Sequence, residues 1–167
     1  MNKRIKKKQI KMENKRLCKR YPFLIPRHIW TDQIIWDVPK YDWRYTRPYS
    51  WTELDCMPEG WCKAFGLQMC EEIREALVEA DYLDKYRITQ IKSKYGTLRW
   101  YDFGAPEKVH AIVDKYEDLS AHTCEVCGRP AESHDIRGWI WTICPACEKQ
   151  MEEEHRRRYE KWKRSQK

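Results

Sequence analysis

No long hydrophobic run occurs in this chain, although 41% of its residues are hydrophobic. A membrane-spanning helix needs about 20 consecutive apolar residues, so the sequence predicts a soluble protein. The opening residues, MNKRIKKK, lack the apolar core that a signal peptide places after its charges. We therefore expect a cytoplasmic protein that is not exported.

Signatures of common enzyme sites are also missing. The chain has no Gly-x-Gly-x-x-Gly fingerprint, no Walker loop and no Ser-His-Asp signature. It also lacks the His-x-Glu pair that zinc deaminases place beside their metal ligands. We therefore predict a protein that is not an enzyme.

Cysteine is abundant, with eight residues, and four of them form two Cys-x2-Cys pairs near the C-terminus. The pairs are Cys124 with Cys127 and Cys144 with Cys147. This spacing predicts one structural Zn²⁺ held by four thiolates, because both sulfur atoms of a pair can face one metal across a tight turn. Gly128 directly after the first pair favours such a turn. Four protein ligands leave no open position for water, so we do not expect a catalytic metal.

The residues around the cysteines predict a treble-clef-like or zinc-ribbon finger. A strand is predicted over 139–143, and a long charged helix is predicted to begin near Cys147. Three cations could balance the two negative charges of a zinc ion bound by four thiolates: Arg129, Arg137 and Lys149. The other four cysteines, in a reducing cytoplasm, are predicted to be free thiols: Cys18, Cys56, Cys62 and Cys70.

The positive charge is concentrated at the start of the chain. Residues 1–20 hold ten Lys or Arg against Glu13 alone, a net charge of +9. The other residues carry 23 basic and 25 acidic groups, so their net charge is −2. We interpret residues 1–20 as a disordered basic arm, with Lys6, Lys7 and Lys8 as candidate phosphate contacts; a solubilising tail or one exposed helix face is the alternative.

The middle of the chain predicts an α+β body in which an antiparallel hairpin packs against helices. Five apolar residues recur at every fourth position from Trp61 to Leu77, which predicts an amphipathic helix. Residues 86–92 and 97–101 predict a hairpin, and a second helix is expected over 109–119. Four tryptophans precede this body in a Pro-punctuated segment, where they either cap the core or form a base-stacking platform: Trp30, Trp36, Trp43 and Trp51.

The predicted hairpin carries cations beside aromatic rings. Strand alternation places Thr97, Arg99 and Tyr101 on one face, while Leu98 and Trp100 share the other. With Lys92 and Lys94, the polar face could bind phosphate while Tyr101 stacks on a base. A solvent-exposed face above a core contact is the alternative. Arg137 of the finger joins these candidates for nucleic-acid binding.

Several phrases resemble an uncharacterised family encoded by phages and prophages of gut-type bacteria. They are MPEGWCKAFGLQMCEEI, YRITQIKSKYGTLRWYDFG, LSAHTCEVCGRPA and RGWIWTICPAC, and the similarity covers most of residues 18–148. The resemblance implies a viral or mobile-element origin and action in the cytoplasm of a bacterial host. The family has no established activity, so the resemblance gives no catalytic residues to assign to this chain.

A weaker similarity links the finger to zinc-stapled His-Me nucleases, through His134 and Asp135. Their order is reversed from the family's Asp-His pair, and no second histidine follows before Cys144.

We predict a non-enzymatic zinc-binding accessory protein that binds DNA or RNA. The alternatives are a module that binds a host protein or a small nucleotide signal, and a metal-dependent nuclease. The predicted units are residues 1–20, 21–120, 121–150 and 151–167.

Overall fold

The structure, a computed structural model, describes residues 3–37 and 48–166. Its longer helices are α1 (Lys3–Arg20), α3 (Leu67–Glu79), α4 (Glu107–Ser120) and α5 (Pro145–Ser165), with the short α2 at Glu59–Trp61. The strands are β1 (Ile88–Lys94), β2 (Thr97–Asp102), β3 (Glu132–Ile136) and β4 (Trp139–Ile143). They form two separate antiparallel hairpins, so the predicted α+β class is confirmed.

The first hairpin and helices α3 and α4 enclose the main core. Helix α4 packs against both α3 and β2. The largest side chains of this core that are fully buried include Trp61, Tyr86, Tyr116, Met69 and Leu98. In the second predicted helix, Val109, Val113 and Tyr116 are buried, whereas Leu119 is exposed. Before Pro58 the described residues form short 3-10 turns at Pro22–Leu24, Ile35–Asp37 and Glu53–Cys56, with an antiparallel bridge between Arg27 and Ile34.

The apolar stripe from Trp61 to Leu77 is buried along its whole length, as its spacing predicted. A strict four-residue repeat drifts about 40° per step around an ideal α-helix. Here the segment Cys62–Gly66 is a π-helix, which has more residues per turn and turns the stripe back toward the core. This local change explains how Trp61 and Leu77 can face the same core.

The basic segment predicted to be a disordered arm is instead helix α1, which is a correction. Lys, Arg, Gln and Met all favour helix, which partly offsets the repulsion among like charges. The C-terminal part of α1 is also docked on the body: Cys18 is 4% exposed, and the Asn14 side-chain amide donates to the Tyr49 carbonyl oxygen at 3.1 Å. Docking contributes the packing that an isolated basic peptide lacks.

The tryptophans of the Pro-punctuated segment do not share one environment. Trp36 is buried and lies 4.8 Å from Tyr49 between ring centroids, whereas Trp30 is exposed. Trp51 is half-buried, and Trp43 lies outside the described residues. A shared stacking platform is therefore not seen among the three that are described.

Helix α5 begins inside the predicted finger and continues past its expected boundary at residue 150. Residues of the predicted finger and of the predicted charged helix therefore share one helix. No helix in residues 3–37 or 48–166 is long and apolar enough to cross a membrane.

Candidate metal centre

The four predicted ligands come together. The sulfur atoms of Cys124, Cys127, Cys144 and Cys147 all lie within 4.8 Å of one another. Cys127 and Cys144 are 3.7 Å apart between their sulfur atoms. Tetrahedral zinc with Zn–S bonds of about 2.3 Å requires sulfur atoms about 3.8 Å apart, so the spacing of Cys127 and Cys144 suits ligands of such an ion. The cluster could hold a single metal ion.

Two local structures present the sulfur atoms. The first pair sits on a turn closed by the Gly128 N–H, which donates to the Cys124 carbonyl oxygen at 2.9 Å. Gly128 has a φ of 80°, the left-handed conformation that its position after the pair predicted. The second pair begins α5: Cys144 is the N-cap, and the Cys147 N–H donates to its carbonyl oxygen at 3.0 Å. The free N–H groups of a helix N-terminus favour thiolates there.

Arg129 supplies positive charge at the cluster. Its Nε donates to the Cys127 sulfur at 3.3 Å, and a second nitrogen lies 3.7 Å from the Cys144 sulfur. Arg129 lowers the pKa of Cys127 to about 6, which favours the thiolate needed for metal binding. Of the three cations predicted to lie here, Arg129 alone is seen to contact the sulfur atoms in the part of the chain that the structure describes.

The pKa values of the second pair move in opposite directions. Burial would raise the pKa of Cys144, but hydrogen bonds, first among them the one from the Cys147 N–H, lower it overall. Burial raises the pKa of Cys147 to about 12. A divalent cation would displace the remaining protons, because thiolates rather than thiols are its ligands.

The metal centre is joined to the body through hydrogen bonds to its backbone carbonyl groups. The Gly60 N–H donates to the Glu125 carbonyl oxygen at 2.8 Å, and Trp61 Nε1 donates to the Thr123 carbonyl oxygen at 2.6 Å. A Cβ on Gly60 would lie 2.1 Å from the Cys124 carbonyl oxygen, so only glycine permits this approach. The first metal-binding turn therefore rests directly on the start of the α2 to α3 segment.

The two hairpins also touch. The Thr142 hydroxyl of β4 donates to the Gly96 carbonyl oxygen at 2.6 Å, at the turn between β1 and β2. Thr142 is fully buried at this contact. The body and the finger thus meet at two places that lie far apart in sequence.

A groove of about 530 Å³ opens between the hairpin tips, and we call it the hairpin-tip groove. Its lining includes Lys94, Tyr95, Glu125, Trp139, Ile140 and Trp141. Tyr95 and Trp139 are 68% and 74% exposed, whereas Glu125 is only 5% exposed. Burial raises the pKa of Glu125, and hydrogen bonds from the Thr142 N–H and from Ser93 offset part of that rise. Sequence inspection missed Glu125 because nothing in its local pattern indicates burial.

The polar face predicted for the first hairpin is present, since Lys92 pairs with Arg99 and Lys94 with Thr97 in the strand register. Lys92 lies 5.3 Å from the ring centroid of Tyr101. Arg99, however, forms an ion pair with Glu117 of α4 at 3.3 Å and donates to the Leu98 carbonyl oxygen at 2.7 Å. These contacts hold Arg99 against α4, so it is not a freely available phosphate ligand.

The lysines of α1 are grouped differently from the prediction. Lys6, Lys7 and Lys8 are exposed, but consecutive residues point about 100° apart around a helix, so they share no face. Lys8 instead lies in line with three further exposed cations, which we call with it the basic stripe: Lys8, Lys11, Lys15 and Lys19. Their spacing of three and four residues could have identified the stripe from sequence. Arg137 is exposed at the tip of the second hairpin.

His134 and Asp135, the residues considered for nuclease chemistry, are neighbours on β3 and therefore point to opposite faces. Asp135 accepts a hydrogen bond from the Gly138 N–H at 2.8 Å, which closes the hairpin turn. In residues 3–37 and 48–166, the four cysteines are the one group of three or more candidate ligands close enough to share a metal.

The upstream cysteines are free thiols, as expected. Cys18 and Cys70 are buried, and the Cys62 thiol donates to the Leu54 carbonyl oxygen at 3.3 Å. Burial raises the pKa of Cys70 to about 12, which leaves it an unreactive core thiol. Cys56 is exposed.

A scan against protein-family models and searches of curated proteins and solved structures find no match to this chain. The resemblance to a phage and prophage family consequently gains no support from these comparisons.

Proposed function

We propose that this chain is a non-enzymatic, zinc-stapled nucleic-acid-binding protein in which helix α1 contacts the phosphate backbone. The observation that carries the proposal is the basic stripe. It places four lysines on one exposed face over a helix length of about 16 Å. Phosphate contacts of this kind release counterions, which is the main source of sequence-independent affinity for nucleic acid.

The anchoring of α1 distinguishes this helix from a free basic tail. Leu17 packs against the main core, and Arg20 forms an ion pair with Glu71 of α3 at 2.8 Å. The lysines are therefore held on a helix that is already formed and attached to the body. Less conformational entropy is lost on binding than when a disordered arm becomes ordered.

The metal supports this function by stabilising the fold. Four sulfur donors favour Zn²⁺, and a site closed by four protein ligands is typical of structural zinc. The order of metal-binding turn, hairpin and helix, with the last two ligands at the helix start, supports a treble-clef type of finger. A place in the cytoplasm of a bacterial host rests on the resemblance to the phage and prophage family.

The test is fluorescence anisotropy of labelled DNA and RNA, both single- and double-stranded, titrated with salt. The Lys8→Gln, Lys11→Gln, Lys15→Gln, Lys19→Gln variant removes the basic stripe while keeping a helix-forming residue at each position. We expect the slope of log K against log salt for duplex DNA to decrease in magnitude by about 3.6, since each of the four phosphate contacts contributes about 0.9.

The matched control removes four exposed cations from α5: Arg156, Lys161, Lys163 and Arg164, each replaced by Gln. It makes the same change in net charge, and we expect a change in slope below about 1. Equal losses in both variants would show that net charge, rather than the basic stripe, determines binding. Absence of salt-dependent binding by the unaltered protein would refute the function itself.

A further inference from the structure

The hairpin-tip groove contains a buried carboxylate without a countercharge. The Glu125 side chain accepts hydrogen bonds from the Thr142 N–H at 3.0 Å and from Ser93, and no ion pair involving it is seen within residues 3–37 and 48–166. A carboxylate has room for about four hydrogen bonds, and burying one without a charged partner is costly. Glu125 lines the groove, so a ligand there could supply the missing donors.

The rings at the rim restrict the shape of that ligand. Tyr95 and Trp139 are large aromatic side chains that remain mostly exposed on two adjacent hairpin tips. A planar ligand could stack on these rings while its edge faces Glu125.

The positive charge of Lys94 favours a neutral base over a cation as the ligand of the groove. Lys94 Nζ lies 5.5 Å from the centroid of the Tyr95 ring, where a ligand cation would otherwise bind. Asp135 also lines the groove, where its carboxylate accepts a hydrogen bond from the Gly138 N–H at 2.8 Å. At the Tyr95 ring itself, a second cation would be repelled by the Lys94 ammonium group. A neutral base avoids that repulsion, and Lys94 is then available for the phosphate attached to it.

We propose that the hairpin-tip groove binds a guanine base of a single-stranded nucleic acid, with the guanine edge donating to Glu125 and the ring stacked at Tyr95 and Trp139. Guanine presents two adjacent donors, N1–H and the N2 amino group, which match the two oxygens of a carboxylate. Adenine and cytosine present one amino group on the same edge, and uracil presents one N–H. A base in a duplex is paired and stacked, so the bound base comes from a single strand.

This inference rests on the proposed function for the source of the base, a nucleic-acid strand. The same chemistry would be offered by a free guanine nucleotide. The two sources are separated by measuring GMP and single-stranded oligonucleotides side by side, with the zinc-loaded full chain.

The first measurement is isothermal titration of GMP, AMP, CMP and UMP, together with oligothymidylate that contains one central dG, dA or dC. We expect at least tenfold tighter binding of the dG strand than of the dA and dC strands. Weak GMP binding beside strong dG-strand binding identifies the strand as the ligand, whereas equal affinities identify a free nucleotide and contradict the strand. Equal binding of all bases overturns the proposal.

Two variants test the assigned contacts. Glu125→Gln keeps an oxygen for the Thr142 N–H but replaces one acceptor by a donor, so the preference for guanine should disappear. Trp139→Ala removes a mostly exposed ring and should weaken binding of every base by about tenfold. Trp162→Ala on α5 is the control, since Trp162 is also exposed and lies outside the groove.

Thermal melts of each variant check that the fold is intact. If Glu125→Gln lowers the melting temperature, Trp139→Ala still tests the site. Trp139 is 74% exposed, so its replacement by alanine removes little packing. Unchanged binding in Trp139→Ala, or an equal loss of affinity in Trp162→Ala, refutes the claim that the hairpin-tip groove binds the base. A dG preference that persists in the basic-stripe variant shows that the groove acts even if α1 is not the phosphate contact, so the two proposals fail separately.

Discussion

Glu71 joins helix α1 to helix α3 through one carboxylate. It pairs with Arg20 at 2.8 Å and with Arg74 at 2.7 Å, and it accepts a hydrogen bond from the Tyr21 hydroxyl at 2.9 Å. Arg74 and Arg20 lower the pKa of Glu71 from 4.5 to about 2. A lowered pKa means that the folded state prefers the ionised carboxylate, so this stabilisation is present above pH 4.5 and is lost as the pH falls toward 2.

Glu71→Gln should therefore reduce the free energy of unfolding at neutral pH by about 1–2 kcal/mol, because the ion pairs are partly exposed. The difference from the unaltered protein should shrink as the pH falls below 4.5, where Glu71 of the unfolded chain takes up a proton. Urea denaturation of both proteins over this pH range measures the difference.

Glu79→Gln is the control for this measurement. Glu79 pairs with Lys108, and both side chains are exposed, so its loss should cost less than about 0.5 kcal/mol. A difference between Glu71→Gln and the unaltered protein that does not depend on pH would contradict the assigned role of the carboxylate.

At the scale of elements, both hairpins end in the same kind of turn. Tyr95 and Gly96 have φ values of 56° and 74°, and Arg137 and Gly138 have 57° and 82°. Positive φ at both central positions is the type I′ pattern, whose twist suits two-residue hairpins and favours Asn-Gly. Each turn thus places a long side chain where asparagine would be less strained.

Tyr95→Asn should raise the free energy of unfolding by about 0.5–1 kcal/mol, because asparagine tolerates the left-handed conformation. The same change should weaken base binding by about tenfold, because it removes one stacking ring. Thermal melts and the oligonucleotide titration measure the two effects on one sample.

Arg137→Asn makes the equivalent change in the second turn. Arg137 is outside the lining of the hairpin-tip groove, so this variant should gain stability and keep its preference for dG. If Tyr95→Asn is less stable than the unaltered protein, then Tyr95 makes packing contacts that outweigh the backbone strain.

At the scale of the whole molecule, the metal centre and the body form an interlocked structure. The metal-binding turn meets Gly60, and β4 meets Gly96. The small cluster around the cysteines has few large apolar members, among them Ile143, Trp141 and Met151, so it contributes limited hydrophobic stabilisation by itself. Metal binding is expected to supply much of the folding free energy of this region.

Removing the metal with a chelator should lower the melting temperature of the whole chain by more than about 10 °C, because at least the C-terminal third loses its structure. Mass spectrometry should find one zinc per chain before chelation. Cys147→Ser should reproduce the loss, whereas Cys56→Ser should not, since Cys56 is exposed and outside the cluster. A metal-free protein with an unchanged melt would show that the site is not structural.

Features with a local signal were predictable from sequence. The two Cys-x2-Cys pairs identified all four members of the cluster, because each short turn brings two sulfur atoms together and two such pairs supply the four ligands of one zinc ion. The apolar stripe from Trp61 to Leu77 and the hairpin formed by β1 and β2 were likewise predicted, since side-chain periodicity follows from backbone geometry. The boundaries of these elements moved by a few residues in the structure.

The amino-acid sequence by itself determined the two Cys-x2-Cys pairs, the amphipathic helices and the hairpins, because their causes lie within a few residues of one another. Tertiary structure alone decided the anchoring of α1, the pairing of Arg99 with Glu117, and the burial of Glu125 at the hairpin-tip groove. Each of these depends on which distant segments meet. The contact between Gly60 and Glu125 joins residues far apart in the chain, and such contacts are settled by the packing of the whole molecule rather than by any local pattern.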